Sequence, residues 1–263
     1  MNRRMAQMLV LLGIVTVFSA CSSTEPARPD AVRQVSTLDA LIDGVYESEV
    51  SVGRFTGPTM IGLGTPNQID GEMIILGRQA YRVDDTGTVY RMKSSTRTPF
   101  TVAAPFVADA VVELGNEMHY AELKKRADQV IDSTNYIHAI RLRGSFSSMK
   151  VRSVPRQEPP YRPLTEVIKN QQEEFTYESV EGVLVGFRFP SYMNRLNAPG
   201  YHLHFLSADR EKGGHVLGFT MEKARLELDR ERAFEMLLPG HQQFREADLS
   251  THKEEAVESV EKQ

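Results

Sequence analysis

Short apolar stretches alternate with Gly, Pro and Asp-Gly breaks along most of the chain, as in strands joined by tight turns. Residues 60–63, 71–76, 80–83 and 89–92 are predicted strands, with turn signals at Asp70-Gly71 and Asp85-Thr86-Gly87. Residues 137–142, 180–189 and 202–219 read the same way, and 221–228 alternates apolar and charged positions as a further strand. Helical signals are fewer. Thr37 caps a short helix in Thr37-Leu38-Asp39-Ala40-Leu41-Ile42, parts of 114–131 carry helical spacing, and the highly charged last fifteen residues predict a terminal helix. No internal repeat is evident. The pattern predicts an α+β protein dominated by mixed or antiparallel sheet.

The first twenty residues depart from this pattern. Asn2-Arg3-Arg4 is a short positive start, residues 8–18 are almost wholly apolar, and the small residues Ser19 and Ala20 follow. The run is too short to span a bilayer comfortably and reads as an export signal over 1–20. Cys21, the single cysteine, directly follows Phe18-Ser19-Ala20. This resembles a bacterial lipobox, whose cysteine is lipidated and becomes the first residue, although Phe18 stands where an aliphatic residue is usual. The competing reading is an ordinary secretory signal with an incidental cysteine. Both place the protein outside the cytoplasm, and the first anchors it to a membrane facing the periplasm or cell exterior. Residues 21–36, with Pro26 and Pro29 and little apolar content, read as a tether. The Pro-rich segment 155–163 is a crossover between an N-terminal sheet half, 37–154, and a C-terminal half, 155–263.

Composition narrows the partners. A net charge of −4 over 263 residues provides no basic field to offset phosphate repulsion, which argues against nucleic acid. A lone cysteine excludes an intramolecular disulfide, so stability rests on a packed core, a bound metal or subunit association. A single acyl chain would give only modest membrane anchoring.

Three of the seven histidines fall in Gly200-Tyr201-His202-Leu203-His204-Phe205-Leu206-Ser207 and Gly213-Gly214-His215-Val216, inside the C-terminal half. Strand residues two apart share a face, so His202 and His204 lie side by side. If Ser207 pairs with Lys212 across a four-residue turn, His204 faces His215 and all three imidazoles converge. A one-residue slip would turn His215 away. Three imidazoles suit Zn²⁺ and leave a fourth position open, as a catalytic site requires. Without that register they are ordinary strand histidines. A structural zinc is disfavoured, because no fourth cysteine or histidine lies nearby.

The segment Pro199-Gly200-Tyr201-His202-Leu203-His204-Phe205-Leu206-Ser207-Ala208-Asp209-Arg210, with Gly213-Gly214-His215-Val216-Leu217, resembles the metal segment of the acetolactate decarboxylase family. So do Gly62-Leu63-Gly64-Thr65-Pro66-Asn67-Gln68-Ile69-Asp70-Gly71-Glu72-Met73, Thr98-Pro99-Phe100, Ala139-Ile140-Arg141, Val151-Arg152-Ser153-Val154-Pro155-Arg156-Gln157 and Gly182-Val183-Leu184-Val185-Gly186-Phe187. The matches run in order from about Leu38 to the C-terminus. The resemblance implies a homodimer of two-sheet subunits, each with one zinc between its halves held by His202, His204 and His215. It assigns acid/base work to Glu72, an active-site arginine to Arg152 and a pocket threonine to Thr65. It also implies a glutamate near the C-terminus approaching the metal site, with Glu261 the first candidate, as a substrate-binding group, and Glu258 the second. Arg97 stands where the family commonly has lysine, which bears on the pocket rim.

The implied reaction is decarboxylation of 2-acetolactate to acetoin through an enediolate, followed by protonation on one face of a carbon. The metal would be the electron sink that polarises the ketone, leaving Glu72 and Arg152 to manage the carboxylate and the proton. Read alone, Glu72 could be a solvated turn carboxylate, and Arg152 a surface charge beside Lys150 and Arg156. Arg141 and Arg143 compete for the arginine role. Two other functions compete with this one. A cupin-like oxygenase needs a glutamate three to four residues after the second histidine, where Ser207 and Ala208 stand. An exported zinc-binding lipoprotein without catalysis needs no ordered acid/base pair.

Overall fold

The computed structural model describes residues 31–250 together with Ala256 and Val257. The export signal, Cys21, Glu258, Glu261 and nearly all of the predicted terminal helix lie outside the described residues. No described helix is long and apolar enough to cross a membrane.

The described chain opens with strand β1 (Ala31–Val35) and helix α1 (Leu38–Ile42), whose Thr37 hydroxyl accepts the Ala40 N–H at 3.2 Å. An antiparallel meander follows in β2 (Met60–Thr65), β3 (Glu72–Leu76), β4 (Gln79–Val83) and β5 (Val89–Arg91). β6 (Phe100–Pro105) then pairs with both β1 and β2. The second group is β7 (Ala110–Leu114), β8 (Met118–His119), helix α2 (Tyr120–Val130), β9 (Ile137–Ser153), helix α3 (Leu164–Gln171), β10 (Glu173–Phe189), β11 (Gly200–Ser207) and β12 (Gly213–Glu231). β13 (Ala233–Leu237) returns to the first sheet, parallel to β1, before helix α4 (Gln242–Glu246).

The first sheet has the order β13-β1-β6-β2-β3-β4-β5, and the second β11-β10-β9-β12-β7. β11 also pairs with the start of β12, so β11, β10, β9 and β12 close into a ring. Apart from the β1–β13 pair, the pairs among the described strands are antiparallel, as the α+β reading expects. The first sheet is covered on both faces. Ile61, Leu63, Ile74 and Val83 pack against Val183, Val185 and Phe187 of the second sheet. Met73 and Ile75 point the other way, onto Val35, Val52 and Phe55. Double burial explains why β3 reads as a continuous apolar run instead of an alternating one.

Three expectations are corrected. Residues 31–35, read as part of a tether, form strand β1 with Val32 and Val35 fully buried. Its polar residues are satisfied within the fold: Arg33 pairs with Glu235, and the Gln34 amide donates to the Ser36 and Leu196 carbonyls. The sheets do not divide at 155–163, since β7 and β9 precede that segment in the second sheet and β13 follows it in the first. The prolines there, lacking N–H donors, serve an excursion to α3 from which the chain re-enters the same sheet as β10. Residues 202–219 and 221–228 do not form separate strands after the hairpin turn. β12 is continuous to Glu231 and pairs with β9 from His215 onward, with bulges near Gly218 and Met221 interrupting the register.

Candidate metal centre and pocket

His202 and His204 sit two apart on β11, and the hairpin turn sets the third imidazole. Ser207 N–H donates to the Lys212 carbonyl at 2.9 Å, and the register pairs His204 with His215. The Ser207 hydroxyl accepts the Lys212 N–H at 2.9 Å, holding the turn from inside. His215 also lies opposite Arg152 on β9, so one row across three strands carries His204, His215 and Arg152. Gly214 lets these strands approach: its φ is +142°, and a Cβ there would lie 2.7 Å from the Arg152 carbonyl oxygen.

All three histidines are buried. Nε2 of His204 lies 3.2 Å from Nε2 of His202 and 3.3 Å from Nδ1 of His215, and the three candidate ligand nitrogens fall within 4.8 Å of one another. Metal–nitrogen bonds of 2.0–2.1 Å at tetrahedral angles require N···N edges of about 3.3 Å. These side chains therefore fit a metal ion. The other nitrogen of His204, Nδ1, donates to the Met73 carbonyl at 2.9 Å, which leaves the Nε2 lone pair facing inward. Burial, helped by the nearby Arg152 charge, lowers the His202 pKa to about 3. Burial likewise holds His204 and His215 well below the ordinary histidine value. The rings are neutral, as ligands must be.

Glu72, at the start of β3, places Oε2 3.4 Å from His204 Nε2 and is only 9% exposed. The loop before it is constrained. Gln68 and Ile69 adopt positive φ, at a cost of about 1–3 kcal/mol each, and Gly71 has φ +84°. Gln68 N–H donates to the Tyr46 carbonyl at 2.7 Å, and the Asn67 amide to Glu47 and the Ser48 carbonyl. The Thr65 hydroxyl donates to the Gly71 carbonyl at 2.8 Å, while Thr98 donates to the Thr65 carbonyl at 2.7 Å. Thr65 lines the pocket, but its proton is committed to the loop that carries Glu72.

These groups form one side of a half-open pocket of about 50 Å³. Leu38 and Leu41 from α1, Leu164 and Ile168 from α3, with Phe100 and Val154, form the other. An apolar wall lowers the local dielectric and so strengthens charge interactions beside it. Sequence reasoning missed it, although Leu164 and Ile168 stand at the i, i+4 spacing of one helix face. The competing arginines lie elsewhere: Arg141 and Arg143 both bind Glu227. Arg97 bridges to Ser51 and is not among the lining residues. Phe205 is core, and the Tyr201 hydroxyl donates to Asp128.

Against known proteins, the model of the alpha-acetolactate decarboxylase family matches residues 32–251. The chain belongs to the alpha-acetolactate decarboxylase family. It is 39% identical over 230 residues to an alpha-acetolactate decarboxylase of Methylococcus capsulatus, covering 88% of each chain. It is 40% identical to one from Methanosarcina mazei, covering 89% of this chain and 81% of that one. The crystal structure of alpha-acetolactate decarboxylase from Bacillus subtilis strain 168 superposes with a TM-score of 0.85 at 31% identity, covering 89% of this chain and all of that one. The protein is thus an enzyme of the decarboxylase class, and the three buried histidines are a family member's candidate metal ligands.

Proposed function

We propose that this decarboxylase converts 2-acetolactate to acetoin, with one Zn²⁺ per subunit held by His202, His204 and His215. The observation that carries the proposal is the nitrogen triangle beside Glu72 and Arg152 in a pocket walled on its other side by apolar residues. An all-nitrogen set of three with a free fourth position favours zinc. Bound there, Zn²⁺ supplies the electron sink for loss of CO₂, since neutral ligands leave its charge undiminished.

The chain's own groups do the rest. Arg152, 3% exposed, holds a cation in the pocket where the substrate carboxylate must be oriented before it leaves. When the C–C bond breaks, its electron pair passes into an enediolate that must be protonated on carbon. Carboxylate in and neutral acetoin out takes up one proton per turnover, and Glu72 is the group positioned to deliver it. Delivery from a fixed wall makes the protonation one-sided and the product chiral. Thr65 shapes the loop that presents Glu72.

Purified protein, with chelator and with zinc restored, should be incubated with racemic acetolactate and acetoin measured. Acetoin that disappears with chelator and returns with zinc supports the reading; none from zinc-loaded protein overturns it. We further propose export with lipid anchoring through Cys21, which predicts release of a Cys21→Ala variant from membranes, and assembly as a homodimer, which light scattering tests. Glu261, or else Glu258, is the proposed tail group for the substrate.

A further inference from the structure

The groups that must act together come from different sheets: Glu72 from the first, and Arg152 and the histidines from the second. Between the sheets lie mostly apolar contacts, which attract without fixing direction. Ser153 is an exception. It follows Arg152 at the end of β9, is fully buried, and its Oγ donates to the Val83 carbonyl at 2.8 Å. Val83 ends β4 directly opposite Glu72. A Cβ on Gly71 would lie 2.1 Å from the Val83 carbonyl oxygen, and one on Gly213 would lie 2.9 Å from Val83 Cγ2. Val83 thus meets the residue before Glu72, the residue after Arg152 and the residue two before His215.

We propose that Ser153 is a positioning residue, whose hydroxyl fixes the hairpin carrying Glu72 against the strand carrying Arg152. The inference rests on Glu72 and Arg152 acting as the proposed pair. β9 is already laddered to β10 and β12 on its two sides. The hydroxyl adds nothing to that ladder and acts only across the gap between sheets. It complements the bond from His204 Nδ1 to the carbonyl of Met73, the residue after Glu72.

The test uses zinc-loaded enzyme and racemic acetolactate. A misplacement of about 1 Å can cost about 10²-fold, so Ser153→Ala should lower kcat by roughly ten- to a hundredfold with KM within about twofold. Zinc content should stay at one per subunit while the enantiomeric excess of acetoin falls, a readout that lost stability alone does not move. Ser153→Thr, which keeps the hydroxyl, should recover most of the rate and the chirality. Wild-type kcat and chirality in folded Ser153→Ala overturn the proposal, as does equal loss in the Thr variant. If Ser153→Ala does not fold, Ser153→Cys, similar in size and a poor donor, is read the same way. An inactive zinc-loaded wild type instead overturns the proposed reaction itself.

Discussion

Glu72→Gln is the most informative single substitution. Glutamine keeps the volume of the side chain, so the β3 loop and the apolar wall need not rearrange. What goes is the ionisable carboxyl that would carry the proton, 3.4 Å from a ligand nitrogen. A positioned proton donor is worth about 10²–10⁴ in rate, or about 2.7–5.5 kcal/mol of barrier. The three histidines and the Met73 bond that orients His204 are untouched, so zinc should remain at one per subunit. The thermal midpoint should not fall, because a neutral amide is cheaper to bury than a carboxylate. The assay pairs acetoin formation at saturating acetolactate with zinc content by mass spectrometry on the same sample. A metal-loaded variant at full rate would remove Glu72 from the mechanism. Loss of zinc together with rate would make it a ligand instead of a proton carrier.

Other perturbations separate metal, backbone and pH effects. His204→Ala removes a ligand and leaves the Met73 carbonyl without its donor, so zinc and acetoin formation should both be lost; stoichiometric zinc in the variant refutes the ligand set. Gly71→Ala forces an L-residue to φ +84° and places Cβ against the Val83 carbonyl, so urea unfolding should show a loss of at least about 1–2 kcal/mol. His138, buried away from the site, has its pKa lowered by burial and then by Arg188, with Asp132 opposing. An unfolded histidine titrates near 6.5, so below that pH the unfolded chain binds a proton that the folded chain refuses. Its contribution is retained above pH 6.5 and lost as pH falls toward the folded value. His138→Asn should flatten the rise in stability between pH 5.5 and 7.5, and an unchanged slope counts against it.

The histidine hairpin was legible because each step is local. Period-two alternation places His202 beside His204, and a four-residue turn brings His215 opposite. Most short strands of the first sheet were legible too, since Gly and Asp-Gly breaks bound them. The unread parts depend on distant partners. β1 looks like linker because Arg33 and Gln34 find their partners in Glu235, Leu196 and Asn197, far along the chain. Nothing near Arg152 shows that it will face His215, and nothing near Ser153 shows that its hydroxyl will reach Val83. The apolar wall needs α1 and α3, separated by more than a hundred residues, to meet over one cavity.

The ring of β11, β10, β9 and β12 also bears on aggregation. In an open sheet β11 would be the outermost strand, with unpaired N–H and C=O groups that could template pairing with another chain. From His204 to Leu206 that outer side is taken up by β12, so the ligand strand is hydrogen-bonded on both sides there. This backbone closure uses no metal bond. Over that segment, enzyme stripped of zinc still has no free edge to offer a neighbour.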